Sequence, residues 1–228
     1  MFDQIEMPTS AWLRQRFSSE TIDYTEPILG IHLRIHPRVF IPDPVVIDLF
    51  LGAYLSPEGI LLNDIIDKSF IEPCTGSGIL GLTVATLGAR HVLSTDVDQS
   101  SAQCARFNVE RLALRQRVVV EIADGIPSGG TYDILLSNPP WYDREGDQER
   151  SPIFRRCLED PGRQLLGRIL DESARRGTFV AYIFFGVDDP FTTAGPSQEV
   201  QRFSRWRLDR RWGGSRGVRL QRLALHRG

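Results

Sequence analysis

Short apolar segments alternate with helix-like segments from about residue 69 to residue 186. The apolar runs suit strands of a sheet that is covered on both faces. We predict five such strands, with the sequences SFIEP, HVLSTD, VVVEIAD, YDILLSN and TFVAYIFFG. Between them, GILGLTVATLG, SSAQCARFNVERLAL and GRQLLGRILDESARR predict helices. This alternation predicts an α/β fold, a Rossmann-like and mostly parallel sheet with helices on both faces.

Further elements flank this core. Before it, residues 1–20 carry a weak helical pattern, ILGIHLRI predicts a strand, and PRVFIPDP predicts an irregular connector because its prolines exclude a regular helix. VVIDLFLGAYL then predicts a buried helix starting near Pro44. A charged loop is expected at 142–150, and one or two final strands, the last antiparallel, around the turn GGSRG. We divide the chain into an extension with its connector, 1–43, and a main domain, 44–228.

Composition restricts the class of protein. The 228 residues are 41% hydrophobic and 25% charged, with a net charge of −2, which is typical of a soluble globular protein. No apolar stretch is long enough to cross a bilayer, and the first residues lack the pattern of a signal peptide, so we expect a cytoplasmic protein with no membrane partner. The cysteines and histidines are too scattered for a metal site, so no metal is expected.

A glycine-containing loop follows the first core strand, in the sequence Glu72-Pro73-Cys74-Thr75-Gly76-Ser77-Gly78. Ligands of open α/β sheets bind at the carboxyl ends of the strands, and the N-terminus of the next helix attracts an anion, either a phosphate or a carboxylate. Glu72 would then face a ligand ammonium. The spacing fits neither the dinucleotide fingerprint nor the P-loop, and an ordinary turn between strand and helix remains an alternative.

Two aspartates end the next two strands. Asp96 is placed to accept hydrogen bonds from the hydroxyls of a ribose, as an acidic residue does in dinucleotide-binding proteins. Asp124, in Ala123-Asp124-Gly125, is placed to accept from the amino group of an adenine. Helix capping by Asp96 or Asp98, and a turn role for Asp124, are the structural alternatives.

The most specific motif is Asn138-Pro139-Pro140-Trp141, directly after YDILLS. The prolines fix the backbone and remove two N–H donors, which leaves the carbonyls of Asn138 and Pro139 and the Asn138 side-chain oxygen as acceptors. Trp141 offers a flat surface for stacking. Two acceptors that grip a planar NH₂ group draw its nitrogen toward tetrahedral geometry and free its lone pair. The motif therefore predicts chemistry at an amide or aromatic amine nitrogen.

Taken together, these segments resemble class I S-adenosylmethionine-dependent methyltransferases over roughly residues 37–185. The resemblance is narrower to the branch with an Asn-Pro-Pro-aromatic motif, which includes release-factor glutamine methyltransferases and enzymes that methylate exocyclic amines of nucleobases. It implies S-adenosylmethionine as cofactor, held by Glu72, Asp96, Asp124, Asn138 and the loop residues Thr75, Gly76, Ser77 and Gly78. It also implies that 138–141 hold the target nitrogen, and that the connector covers the site, with Phe40 as a lid.

The chain departs from that branch in ways that leave its substrate open. Cys74 stands where the first loop glycine is usual, Trp141 replaces a Tyr or Phe, and the region before the core is short for a release-factor methyltransferase. Residues 201–228 contain nine arginines and one acid, which favours an acidic partner such as nucleic acid, unless they form only a solvated face. Protein, nucleic acid and small-molecule substrates bearing an NH₂ group remain open.

Two other functional classes remain as alternatives. A nicotinamide-dependent oxidoreductase would share the sheet and the ribose contact, but it gives no reason for the Asn138 motif. A non-catalytic domain that binds cofactor or RNA as a scaffold would also share the fold, and it has no use for an intact Asn138 motif.

Overall fold

The computed structural model describes residues 17–55, 60–141, 157, 159–186, 205–213 and 218–226. Most of the helix expected near the N-terminus, the charged loop at 142–150 and most of the turn GGSRG lie outside these ranges.

The strands form a two-stranded hairpin and a seven-stranded sheet. They are Ile22–Thr25 (β1), His32–Ile35 (β2), Ser69–Pro73 (β3), His91–Asp96 (β4), Val118–Ile122 (β5), Ile134–Ser137 (β6), Val180–Gly186 (β7), Trp206–Gly213 (β8) and Val218–Leu225 (β9). The large sheet has the order β5-β4-β3-β6-β7-β9-β8, and β9 runs in the opposite direction to the other six strands. The predicted Rossmann-like sheet with a final antiparallel strand is confirmed.

Helices cover both faces of this sheet. They are Pro44–Tyr54 (α1), Ile60–Ile65 (α2), Ile79–Thr86 (α3), Gln99–Arg111 (α4) and Gln164–Arg175 (α5). One core cluster joins α1, α2, α3 and α4 to the sheet, and a second joins α5 to the opposite face. Because both faces are covered, every residue of β3 and β6 is buried, as their mostly apolar sequences predicted.

The sheet register brings the ends of three strands together. In the parallel pairing of β3 with β6, Ile71 is opposite Leu135, and in the pairing of β3 with β4, Pro73 is opposite Thr95. The Ser137 hydroxyl donates to the Pro73 carbonyl at 2.8 Å. The loops after β3, β4 and β6 therefore leave the same edge of the sheet side by side.

Two short elements were not predicted. The strand β1 pairs antiparallel with β2, so the segment 22–35 is a hairpin rather than a single strand. Its turn is held by Glu26, whose buried carboxylate accepts hydrogen bonds from the backbone of Ile28 and Leu29. The helix α2, only six residues long, was also missed.

The described residues contain neither a membrane-spanning helix nor a cluster of metal ligands. No described helix combines the length and apolarity needed to cross a bilayer. Within the same ranges, no group of three or more His, Cys, Asp or Glu residues is arranged to hold a metal ion.

Candidate active site

A cavity opens where β3, β4 and β6 end. Its walls come from the connector before α1, the first turns of α1, α3 and α4, the ends of the three strands with the loops that follow them, and Cys157. The residues predicted from the sequence that line it are Glu72, Thr75, Gly76, Ser77, Asp96, Asn138, Pro139, Pro140 and Trp141, together with the lid candidate Phe40. Two predicted residues, Gly78 and Asp124, are not among its lining.

The loop after β3 turns sharply through three residues with positive φ. They are Cys74 at 63°, Gly76 at 56° and Gly78 at 89°. Glycine tolerates this region freely, whereas for Cys74 it costs about 1 kcal/mol. Gly78 packs against α4, since a Cβ built on it would lie 3.3 Å from the Ala105 Cβ. Gly78 therefore allows the close approach of loop and helix instead of facing the cavity.

Glu72 lies at the base of the loop and is buried. Its carboxylate accepts hydrogen bonds from the Thr75 hydroxyl at 2.7 Å, the Ser94 hydroxyl at 2.5 Å and the Gly81 N–H at 3.0 Å. Burial raises the pKa of Glu72 to about 7, and these three donors oppose that rise. Glu72 thus joins the loop, α3 and β4 by hydrogen bonds. The sequence predicted only a contact with a ligand ammonium.

Asp96 and Asp98 organise the loop after β4. The Asp96 carboxylate accepts from the N–H of Gly76 at 2.9 Å and from the N–H of Asp98 at 2.9 Å. Burial raises its pKa above the usual value. The Asp98 side chain caps α4 by accepting from the Ser101 N–H at 2.8 Å. Of the two aspartates offered as capping alternatives, Asp98 is therefore the one that caps α4.

Asp124 lies after β5 in an exposed ion pair. Both of its oxygens accept from the Arg168 guanidinium, each at 2.8 Å, and this hydrogen bonding lowers the Asp124 pKa. Arg168 belongs to α5, which no sequence argument linked to Asp124. The predicted adenine contact of Asp124 stays a prediction.

The motif after β6 is held by hydrogen bonds at both ends. The Trp141 indole N–H donates to the Asn138 Oδ1 at 2.8 Å, and Trp141 is buried. The Arg163 guanidinium donates to the Pro140 carbonyl at 3.4 Å. The Trp141 ring edge therefore contacts the Asn138 amide, which adds a role to the stacking surface predicted for it.

Some residues at this site had no signal in the sequence. Asp43, buried at the start of α1, and Cys157 both line the cavity. Asp43 read as a connector residue between two prolines, and Cys157 as one of three scattered cysteines. Only the folding of distant segments against the strand ends brings them to the site.

The cavity is acidic. Four carboxylates line it, those of Asp43, Glu72, Asp96 and Asp98, whereas none of the described lining residues is an arginine, lysine or histidine. Opposite charge is favoured in a partly enclosed cavity, where solvent screening is weak. The site suits a ligand with cationic groups better than one with a pyrophosphate.

The chain is similar in sequence to known methyltransferases. Residues 62–139 match the family model described as "Ribosomal protein L11 methyltransferase (PrmA)". A release factor glutamine methyltransferase of Rhodopirellula baltica is 27% identical over 169 residues, which cover 69% of this chain and 56% of that protein. A ribosomal protein L11 methyltransferase of Dechloromonas aromatica is 32% identical over 126 residues, or 46% and 41% of the two chains. The chain thus spans about half the length of the curated relatives it matches.

Solved structures share the fold. The hMettl16 catalytic domain in complex with MAT2A 3'UTR hairpin 1 matches with a TM-score of 0.64 at 19% identity, covering 88% of this chain and 76% of that one. A ribosomal protein L11 methylase from Lactobacillus delbrueckii subsp. bulgaricus matches with a TM-score of 0.57 at 16% identity, covering 84% of each chain. At these identities the likeness concerns the fold.

Proposed function

We propose that this chain, which carries a class I S-adenosylmethionine-dependent methyltransferase domain, transfers a methyl group to a planar amide or exocyclic amine nitrogen. The observation that carries the proposal is that the glycine loop and the Asn138 motif line one cavity. A methyl donor held by the first would then lie beside a nitrogen held by the second.

The residues present fit S-adenosylmethionine. When bound, it supplies an activated methyl on a cationic sulfonium. Its two cationic groups suit the four carboxylates of the cavity, and the N-terminus of α3 suits its carboxylate. We assign Asp96 to the ribose, Glu72 and the loop residues 75–78 to the methionine part, and Asp124 to the adenine.

We assign the target nitrogen to Asn138, Pro139, Pro140 and Trp141. The Asn138 Oδ1 accepts from the Trp141 indole, and a carboxamide oxygen has a second lone pair for an NH₂ group of the substrate. Acceptors fixed in advance stabilise the positive charge that develops on the nitrogen during transfer. Placement and electrostatics are therefore the contribution of these residues.

The acidic cavity also weighs against the oxidoreductase alternative. A dinucleotide carries two phosphates, and the four carboxylates would repel them. A non-catalytic scaffold would not need the Asn138 motif, so the motif also weighs against that alternative.

The substrate is proposed only by class. Relatives are named for release factor glutamine and ribosomal protein L11, and one structural neighbour holds an RNA hairpin. On β8 the arginines Arg207 and Arg210 are exposed, whereas Arg222 is bound by Asp64 and Asp209. We propose a protein or nucleic acid substrate that bears an NH₂ group, with β8 and β9 available to an acidic partner.

The remaining assignments are also proposals. We assign residues 1–43 to an extension and covering connector and 44–228 to the methyltransferase domain, and we expect the protein in the cytoplasm.

The proposal is tested by methyl transfer from radiolabelled S-adenosylmethionine into extract of cells that lack this protein. The extract is divided into nuclease-treated, protease-treated and low-molecular-weight fractions. Label that protease or nuclease removes, and that depends on the added protein, is the expected result. Calorimetric binding of S-adenosylmethionine without label in any fraction would contradict methyl transfer and favour the scaffold.

A further inference from the structure

Asn108 is a fully buried amide in the last turn of α4, outside the cavity lining. Its Nδ2 donates to the Ser77 carbonyl at 3.0 Å and to the Arg34 carbonyl at 3.1 Å, and its Oδ1 accepts from the Arg34 N–H at 2.8 Å. Both N–H donors of the amide and one lone pair of its oxygen are therefore used by the main chain of two separate segments.

One of those segments lines the cavity, and the other leads into a segment that lines it. Ser77 lies in the glycine loop and lines the cavity directly. Arg34 lies in β2, six residues before Phe40, which lines the cavity from the connector. One side chain therefore sets the main-chain position of the loop and of the strand that leads into the connector.

A second contact makes the arrangement testable. Cys104, one turn earlier on α4, donates its Sγ–H to the Arg34 carbonyl at 3.3 Å and accepts from the His36 N–H at 3.4 Å. No hydrogen bond of the described structure joins Cys104 to Ser77. Cys104 thus bonds to the hairpin and accepts a weak 3.8 Å contact from the Asn108 Nδ2, whereas Asn108 bonds to the hairpin and the loop together.

We propose that Asn108 is a positioning residue that couples occupancy of the glycine loop to ordering of the connector that carries Phe40. The inference rests on the proposed function, since it takes S-adenosylmethionine as the ligand of the loop. Binding at the loop fixes the Ser77 main chain, Asn108 passes this constraint to Arg34, and the connector is held more firmly over the site. By linkage, a firmly held connector raises the affinity of the loop for the ligand.

The readout is hydrogen exchange at the Arg38 and Val39 amides, followed by NMR with and without saturating S-adenosylmethionine. These amides bond to the Ser18 and His36 carbonyls and not to Asn108, so the substitution does not remove their acceptors. In the wild type, S-adenosylmethionine should slow their exchange about fivefold, the effect of roughly one hydrogen bond. In Asn108→Ala this slowing should disappear, and the calorimetric Kd should rise about fivefold.

The control is Cys104→Ala, which loosens the hairpin but keeps the bond between Asn108 and Ser77. Its Arg38 and Val39 amides should exchange faster in both states, and the slowing by S-adenosylmethionine should remain. If Asn108→Ala also keeps that slowing, Asn108 has a merely structural role and the proposal is overturned.

A second variant covers the case in which Asn108→Ala does not fold. Asn108→Asp keeps the acceptor for the Arg34 N–H and loses both donated bonds, so it should also abolish the slowing. Retained slowing in this variant overturns the coupling alone. Failure of the wild type to bind S-adenosylmethionine in the calorimeter would overturn both the coupling and the proposed function.

Discussion

The Trp141 indole N–H donates a 2.8 Å hydrogen bond to the Asn138 Oδ1, so the two ends of the Asn-Pro-Pro-Trp motif are bonded to each other. The two prolines between them restrict the backbone, and the indole restricts the one polar side chain of the motif. Phenylalanine or tyrosine at this position has no ring N–H to do the same. The Asn138 amide is therefore oriented before a substrate arrives.

Trp141→Phe should lower kcat about fivefold, because the ring remains while the donor to Asn138 is lost, at a cost of about 1 kcal/mol. The Kd for S-adenosylmethionine should not change. The rate is measured on the extract fraction that takes up label. Trp212→Phe is the control, since Trp212 packs against Tyr182 and does not line the cavity. An unchanged or faster rate in Trp141→Phe would show that the indole competes with the substrate for Asn138.

Gly81→Ala should destabilise the protein by about 1–3 kcal/mol, because the added Cβ would lie 2.4 Å from the Glu72 Oε2 and 2.7 Å from the Ser94 Oγ. Gly52→Ala, at an exposed position of α1 with open space around it, should instead stabilise it by up to about 1 kcal/mol through helix propensity. Urea denaturation of both variants measures the two effects. The same sign for both substitutions would contradict the close contact of Gly81 with Glu72.

Stability should fall with rising pH through the titration of Glu72. Its pKa is about 7 in the folded protein and 4.5 when unperturbed, so the folded state holds the proton more tightly between these values. The stabilisation is complete below pH 4.5 and is lost as the pH rises through 7. The total loss is about 3 kcal/mol.

The measurement for Glu72 is urea denaturation of the wild type and of Glu72→Gln between pH 4.5 and 8. The glutamine has the same size and does not titrate. As the pH rises over this range, the free energy of unfolding of the wild type should fall relative to that of Glu72→Gln. The difference between the two proteins should level off above pH 7. A difference that does not vary with pH would contradict the raised pKa of Glu72.

Asp96→Ala should raise the Kd for S-adenosylmethionine at least about tenfold, because it removes the ribose acceptor and the bond that holds the Gly76 N–H. Asp171→Ala, the same change at an exposed position of α5, is the control and should leave the Kd unchanged. Calorimetry measures both. Unchanged affinity in Asp96→Ala would remove Asp96 from the cofactor site.

Asp124 can be tested by separating its two interactions. Asp124→Asn weakens the ion pair with Arg168 but keeps an acceptor for an adenine amino group, whereas Asp124→Ala removes both. If Asp124 contacts adenine, only the alanine variant should bind S-adenosylmethionine more weakly, by about fivefold. Equal affinities in the two variants would limit Asp124 to its pairing with Arg168.

Much of the fold was predictable because its signal is local. The strands β3 and β6 are buried on both faces, so most of their residues are apolar, and Pro44 marks the start of α1. The elements that were missed are short: β1 has four residues and α2 has six, too few for a period to emerge.

The residues of the candidate site were predictable where they lie at the end of a strand. Glu72, Asp96 and Asn138 each end or follow a parallel strand, and the register of the sheet brings them together. Asn108 and Arg163 gave no such signal. Asn108 read as an ordinary position of α4, and the contact of Arg163 with Pro140 depends on how the segment before α5 returns to the site.

The most direct test of the central claim is to locate the transferred methyl group by mass spectrometry. The product is made from deuterated S-adenosylmethionine with the wild type and with Asn138→Ala. The label should lie on an amide or aromatic amine nitrogen, and Asn138→Ala should form it about 10²-fold more slowly, as expected for the loss of a preorganised electrostatic contact, with an unchanged Kd for the cofactor. A label on carbon, oxygen or sulfur, or a normal rate in Asn138→Ala, would contradict the role of the Asn-Pro-Pro-Trp motif.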